Sequence, residues 1–234
     1  MVIKQFSSSA FILAAALVAT NANSALVGEW KLNGSLSEEN GGPDAQISNA
    51  GGLAATGYSF SSGDNLTLTL GGLISADTYT IELLFSLDAN DDGYQRIVSF
   101  DGLVEDYGQY AYDNYFYFYD VSPDLDNFTF APDELVTLRL SRDGSTDLYS
   151  AYLNGNQLWD FTDSSDLAVI TESGLNLIFF QDDGSEHASG FVDNIRIYDN
   201  PEGANGSVPV PSTALLITLG LAGGLSYRFW RNSK

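Results

Sequence analysis

The chain has 234 residues, of which 31 are acidic and nine basic, and it carries a formal net charge of −22 with no cysteine and one histidine. A surface of that sign repels nucleic acid and anionic lipid. The absence of thiols excludes disulfides, thiolate metal centres and cysteine nucleophiles, and one histidine is too few for a His-based zinc site.

The first 25 residues are an apolar island. Lys4 gives a positive start, Phe11 to Ala19 an apolar stretch, and "TNANSA" small residues for a cut after Ala22, Ser24 or Ala25. This is the layout of a secretory signal peptide, so residues 1–25 are expected to be removed on export. Residues 26–203 then have the length of one domain whose core needs no cross-links. Their only basic residues are Lys31, Arg96, Arg139, Arg142 and Arg196, against all 31 carboxylates.

Within the domain the pattern is that of strands. In "TYTIELLFSL" Tyr79, Ile81, Leu83, Phe85 and Leu87 alternate with Thr80, Glu82 and Ser86. In "LVTLRLS" Val136, Leu138 and Leu140 alternate with Thr137, Arg139 and Ser141. Period two with one apolar face predicts half-buried strands of antiparallel sheets. Asp143-Gly144 and Asn154-Gly155 punctuate the later strands, and both dipeptides tolerate the positive φ of tight hairpins. "DANDDG" offers oxygens at Asp88, Asn90 and Asp92 like the first half of a calcium loop, but Ser99 stands where an EF-hand needs its twelfth-position glutamate. An EF-hand is excluded, and a hairpin tip is the expectation there.

"YGQYAYDNYFYFYD" packs eight aromatics between Tyr107 and Tyr119. A strand from Tyr115 to Tyr119 puts Tyr115, Tyr117 and Tyr119 on one face and Phe116 and Phe118 on the other. Either the phenylalanines face the core and the tyrosines form an exposed platform on which sugar rings stack, or both faces are buried with the hydroxyls at the rim. In "GFVDNIRIYD" strict alternation puts Phe191, Asp193, Ile195 and Ile197 on one face. A carboxylate in line with core residues must then meet a metal ion, an arginine or backbone amides.

After Tyr198, residues 204–234 change character. A polar linker leads to Pro209, Val210 and Pro211, an uncharged run from Ser212 to Tyr227, and a basic end of Arg228, Arg231 and Lys234. Prolines suit a helix start. Residues 211–230 make about 30 Å of helix, enough for a bilayer core, with the basic end cytoplasmic.

The proline motif, short span and basic end together resemble a PEP-CTERM sorting signal, with Val210 where that motif carries glutamate. The resemblance implies an exosortase-like enzyme as partner, transient anchoring in the inner membrane of a Gram-negative bacterium, and release to the cell surface or beyond. A permanent tail anchor is the alternative. The pieces "GEWKLNGS", "YSFSSGDNLTL", "TYTIELLFSL", "LVTLRLSRDG", "AYLNGNQL" and "GFVDNIRIYD" resemble, in order, the strands of laminin G-like domains of the concanavalin A-like superfamily. That implies an all-β, two-sheet antiparallel jelly-roll sandwich over residues 26–203. It also implies calcium at one end of the sandwich, with Asp193 as a ligand and Asp64 and Asn33 nearby.

This fold hosts binders, hydrolases and structural domains alike. The glucanases of the superfamily carry Glu-x-Asp-x-x-Glu on one strand, and no such run occurs here. Glu38-Glu39, Glu105-Asp106 and Asp133-Glu134 are adjacent pairs, which a strand splits between two faces. His187 lies in the polar "DDGSEHASG", with no nucleophile elbow to complete a triad. The sequence therefore reads as a non-enzyme: an exported surface domain binding polysaccharide or glycan, or acting in matrix or adhesion. The rival is a structural surface protein without a specific ligand.

Overall fold

The computed structural model of the chain describes residues 24–89, 93–119, 121 and 129–201. Most of the signal peptide, Asn90 and Asp92 of the acidic loop, the motif Pro209–Val210–Pro211 and the span 211–230 lie outside the described residues.

Among the described residues the chain forms strands β1 (Leu26–Trp30), β2 (Gln46–Ile47), β3 (Leu53–Ala54), β4 (Gly57–Phe60), β5 (Leu66–Thr69), β6 (Tyr79–Leu87) and β7 (Gln95–Ser99). They are followed by β8 (Gly108–Tyr112), β9 (Tyr115–Phe118), β10 (Val136–Asp143), β11 (Leu148–Leu153), β12 (Asn156–Thr162), β13 (Asn176–Phe179) and β14 (Gly190–Tyr198). They build two antiparallel sheets. The first runs β12-β11-β10-β6-β14-β4-β3, and the second β2-β5-β13-β7-β8-β9. In the first sheet β14 pairs with β6 along its length, while its other edge takes β4 at residues 190–192 and β1 at 195–198. No helix among the described residues is long and apolar enough to cross a membrane.

The two sheets face each other across the alternating residues the sequence singles out. Tyr79, Ile81, Leu83, Phe85 and Leu87 of β6 and Val136, Leu138 and Leu140 of β10 are buried. Rings from the two sheets meet in the middle: Phe85 of β6 lies 6.1 Å from Phe116 of β9, and Phe118 of β9 lies 5.1 Å from Tyr149 of β11. At the edge strand β9 one carbonyl is taken up by the other sheet, since the Trp159 indole of β12 donates to the Phe116 carbonyl at 3.1 Å. A satisfied edge carbonyl is no longer a template for pairing with another chain.

Expected and observed geometry differ at three places. On β6, Thr80 and Glu82 are buried as well, because the strand sits mid-sheet and Arg139 and Arg196 close over Glu82 at 2.7 and 3.2 Å. The Asn154-Gly155 turn is a two-residue hairpin with φ of 50° and 81°, as its sequence predicts. Asp143-Gly144 is not, since Asp143 belongs to β10 and the positive φ falls on Asp147. Its glycine answers a crowding demand instead: a Cβ on Gly144 would sit 2.6 Å from the Asp77 carboxylate. Lastly, β14 carries a bulge between Val192 and Asn194.

That bulge corrects the expected face of Asp193. An extra residue in one strand shifts alternation by one position. The buried row is therefore Val192, Ile195 and Ile197, and Asp193 and Phe191 are only half-buried, off that row.

Candidate functional site

The tyrosine-rich stretch folds as a hairpin. Asp113 and Asn114 take φ of 48° and 65°, the pair of left-handed residues that a two-residue turn requires and that Asp and Asn tolerate. The turn fixes the register of β8 on β9 and sets Tyr110 opposite Tyr117 and Tyr112 opposite Tyr115. Residues directly opposite in an antiparallel pair share a face. The expected row of Tyr115, Tyr117 and Tyr119 thereby shares its face with Tyr112, which is exposed, and with Tyr110, which is fully buried.

Phe116 and Phe118 point inward, at 2% and 1% exposure, while Tyr115, Tyr117 and Tyr119 are half-buried on the outer face and Tyr112 is exposed. The arrangement with one buried and one outer face is therefore the observed one. Tyr94, just before β7, sits at the centre of the patch. Its ring lies 4.6 Å from Tyr112 and 6.0–6.1 Å from Tyr110, Tyr117 and Tyr119. Mutual edge and tilted contacts hold the rings in place, so a ligand meets a surface whose side-chain entropy is already spent. Burial, followed by the charge of neighbouring Tyr94 and Asp113, pushes the Tyr117 hydroxyl above its ordinary range and keeps it a neutral donor.

At the turn the patch opens into a cleft of about 570 Å³ lined by Asp113, Asn114, Tyr115, Thr129, Phe130, Ala131, Pro132 and Glu134. Phe130 stacks on the core ring of Phe116 at 4.6 Å and forms its apolar wall. Tyr115 belongs to both platform and cleft. An aromatic surface leading to carboxylates and an amide is an arrangement that stacks on sugar faces and hydrogen-bonds hydroxyl groups.

Beside Tyr110, on the same face as the patch, lies a charge cluster that sequence reading missed. The Arg96 guanidinium is fully buried, lies 5.0 Å over the Tyr110 ring, and pairs through Nε with Asp182 at 2.9 Å. Arg96 Nε also donates to the Tyr110 hydroxyl, which in turn donates to Asp182 at 3.2 Å. Asp106 and Asp183 approach its Nη2 at 3.3 and 3.9 Å. The carboxylates of Asp106, Asp182 and Asp183 lie within 4.8 Å of one another, and the cation they face is this guanidinium. Burial opposes ionisation of Asp182, but the Gly184 amide and Arg96 hold its carboxyl below the usual range. Glu186 moves the other way, raised by burial and then by Asp182 and Asp106. His187 accepts the Asp182 amide on Nδ1 at 3.1 Å, which gives the lone histidine a structural place beside this cluster.

The positions expected to bind calcium lie on or beside β1, β4 and β14. Asp64 closes the turn after β4, where its Oδ2 accepts Ser61 N at 2.9 Å and Asn49 Nδ2 at 3.0 Å. That turn follows Phe60, which pairs with Gly190, whereas Asp193 lies beyond Val192 toward the Gly57 end of β4. Asn33 follows β1, and its neighbour Gly34 lies against Ala54 and Ala55. Asp64 thus lies toward the Phe60 end of β4 and Asp193 toward its Gly57 end.

The described chain is thus an antiparallel two-sheet β-sandwich with an aromatic outer face on its second sheet. Among solved structures it is similar to domain 4 of AbnA, an extracellular GH43 arabinanase from Geobacillus stearothermophilus, in complex with arabinotriose. The TM-score is 0.60 at 16% identity, covering 79% of this chain and 97% of that one. It is also similar to a Trypanosoma rangeli sialidase, with a TM-score of 0.59 at 15% identity, covering 77% of this chain and 31% of the sialidase. No protein-family model matches the chain, and no curated protein matches it. At these identities the likeness is one of fold.

Proposed function

We propose that this protein is a non-catalytic carbohydrate-binding sandwich of the jelly-roll type, exported through residues 1–25 and sorted to the cell surface through residues 204–234. Binding is non-covalent: sugar rings stack on Tyr115, Tyr117 and Tyr119 with Tyr94 and Tyr112, and hydroxyl groups are held by Asp113, Asn114 and Glu134 in the adjoining cleft. The observation that carries the reading is the ordered tyrosine patch, half-exposed on one sheet and continuous with that cleft. The similarity to a domain of a GH43 arabinanase solved with arabinotriose supports carbohydrate as the ligand class. The sorting part rests on the tripartite layout of the C-terminal 27 or so residues, and the exosortase-like partner on the same layout. No calcium-dependent step is part of the reading.

Affinity electrophoresis of the full chain in gels containing arabinan, a β-glucan or a galactomannan tests it. Retardation by at least one polysaccharide, lost in Tyr117→Ala, is the expected result. Equal mobility with and without every polysaccharide refutes it. For sorting, mass spectrometry of released protein should find a C-terminus upstream of Ser212, and intact Lys234 in extracellular material would count against processing.

A further inference from the structure

We infer that the glycan taken by the tyrosine face is uncharged, a polymer of neutral sugars without uronate, sialate or sulfate groups. This rests on the carbohydrate-binding reading above and narrows it to one chemical class.

The cations of the described residues are paired, and most lie on the other sheet. Lys31 pairs with Glu39 at 2.8 Å, Arg139 with Glu82 at 2.7 Å, Arg142 with Asp163 at 2.9 Å, and Arg196 with Glu29 at 2.9 Å. These four lie on β10 and β14 of the first sheet, or just after β1. Among the described residues only Arg96 belongs to the sheet that carries the tyrosines; it lies beside Tyr110 on their face, but it is fully buried and paired with Asp182. Between Arg96 and Arg139 the sequence contains no lysine or arginine but nine carboxylates, among them Asp113 and Glu134 at the cleft.

Anionic sugars are held by charge-assisted hydrogen bonds, most effectively by the bidentate fork of arginine. This face presents the opposite sign. Exposed Asp113 and Glu134 line the cleft, and exposed Asp106 and Asp183 flank the Arg96 cluster next to Tyr110. A sugar carboxylate brought onto the platform meets exposed carboxylates, because the one cation of this face is buried and paired, and like-charge juxtaposition excludes partners rather than binding them. Tyrosine hydroxyls and carboxylate acceptors, by contrast, match the hydroxyl groups of neutral sugars, and the ring faces stack without regard to charge.

The test uses the full-length protein in affinity gels and calorimetry with arabinan, β-glucan and galactomannan against polygalacturonate, at about 0.01 M and about 0.15 M salt. The expected result is a dissociation constant for a neutral polymer at least about tenfold lower than for polygalacturonate. The gap should narrow at the higher salt, where the screening length falls from roughly 30 Å to roughly 8 Å. Asp113→Asn combined with Glu134→Gln should tighten polygalacturonate binding several-fold while weakening neutral binding, since both carboxylates accept from sugar hydroxyls, so the gap between the two polymers closes. Polygalacturonate bound as tightly as any neutral polymer, and released by Tyr117→Ala, would overturn the inference while leaving the carbohydrate-binding reading in place. No binding to any polymer would overturn both.

Discussion

Phe116 and Tyr117 are neighbours on β9 that face opposite ways, and truncating each in turn separates platform from core. Phe116 is 2% exposed and touches Phe85 at 6.1 Å and Phe130 at 4.6 Å. A core phenylalanine cut to alanine costs about 3–5 kcal/mol through lost transfer energy and the cavity left behind. Tyr117 is half-buried and meets Tyr94, Tyr112 and Tyr115 only at 6.1–6.4 Å. Removing roughly 60 Å² of buried ring at about 25 cal/mol per Å² costs about 1.5 kcal/mol, with no enclosed cavity to add. Urea unfolding of both variants, read by tyrosine and tryptophan fluorescence, measures the two losses directly. Tyr117→Ala should destabilise by about 1–2 kcal/mol and abolish polysaccharide retardation. Phe116→Ala should destabilise by about 3–5 kcal/mol and leave the affinity of the folded fraction within about threefold. A Tyr117→Ala loss as large as that of Phe116→Ala would refute the assignment of faces.

Other perturbations test the framework around the site. Asp163→Ala removes the one buried carboxylate among the partners of the Arg142 guanidinium, the others being the exposed Asp166 and Asp147, and it removes the acceptor for the Leu167 and Ala168 amides at 2.7 and 3.0 Å. It should cost about 3–5 kcal/mol, seen as a melting temperature lowered by about 6–20 °C, and a loss under about 1 kcal/mol would deny the network its structural role. Glu186 has a folded pKa raised by burial and by Asp182 and Asp106. Its contribution is fully present below the unfolded glutamate value near about 4.3 and is lost as pH rises through the folded one. Glu186→Gln should therefore raise the melting temperature at pH 7 and match the parent in acid; a variant less stable at pH 7 would contradict this. Asp193→Ala, off the buried row of β14, should shift the melting temperature by no more than about 2 °C, with or without millimolar calcium. A calcium-dependent rise that this substitution abolishes would restore Asp193 as a ligand.

What the sequence determined by itself is what period and composition encode locally. Alternation in 79–87 and 136–141 gives strands with a known inner face, because side chains of successive strand residues point to opposite sides whatever the strand pairs with. The same rule puts Phe116 and Phe118 on one face and the tyrosines on the other, but it left open whether the tyrosine face is covered, and the packing of the two sheets decided that. Asn154-Gly155 encodes its own hairpin, because positive φ is a property of the dipeptide. Tertiary structure decided whatever depends on a partner distant in the chain. The bulge at 193 arises where β14 must match β6 on one edge and β4 and β1 on the other, and it moves the carboxylate off the core row that strict alternation assigns it. Arg96 and Asp182 are 86 positions apart, and they meet because β7 pairs with β8 on one side and β13 on the other, which brings the loop after β13 beside Tyr110. The shared tyrosine face lies between these cases. Its hairpin signal, Asp113-Asn114 flanked by alternating tyrosines, was present in the sequence, but only the two-residue register set Tyr110 and Tyr112 opposite Tyr117 and Tyr115, and a slip of one residue would have put phenylalanines there instead.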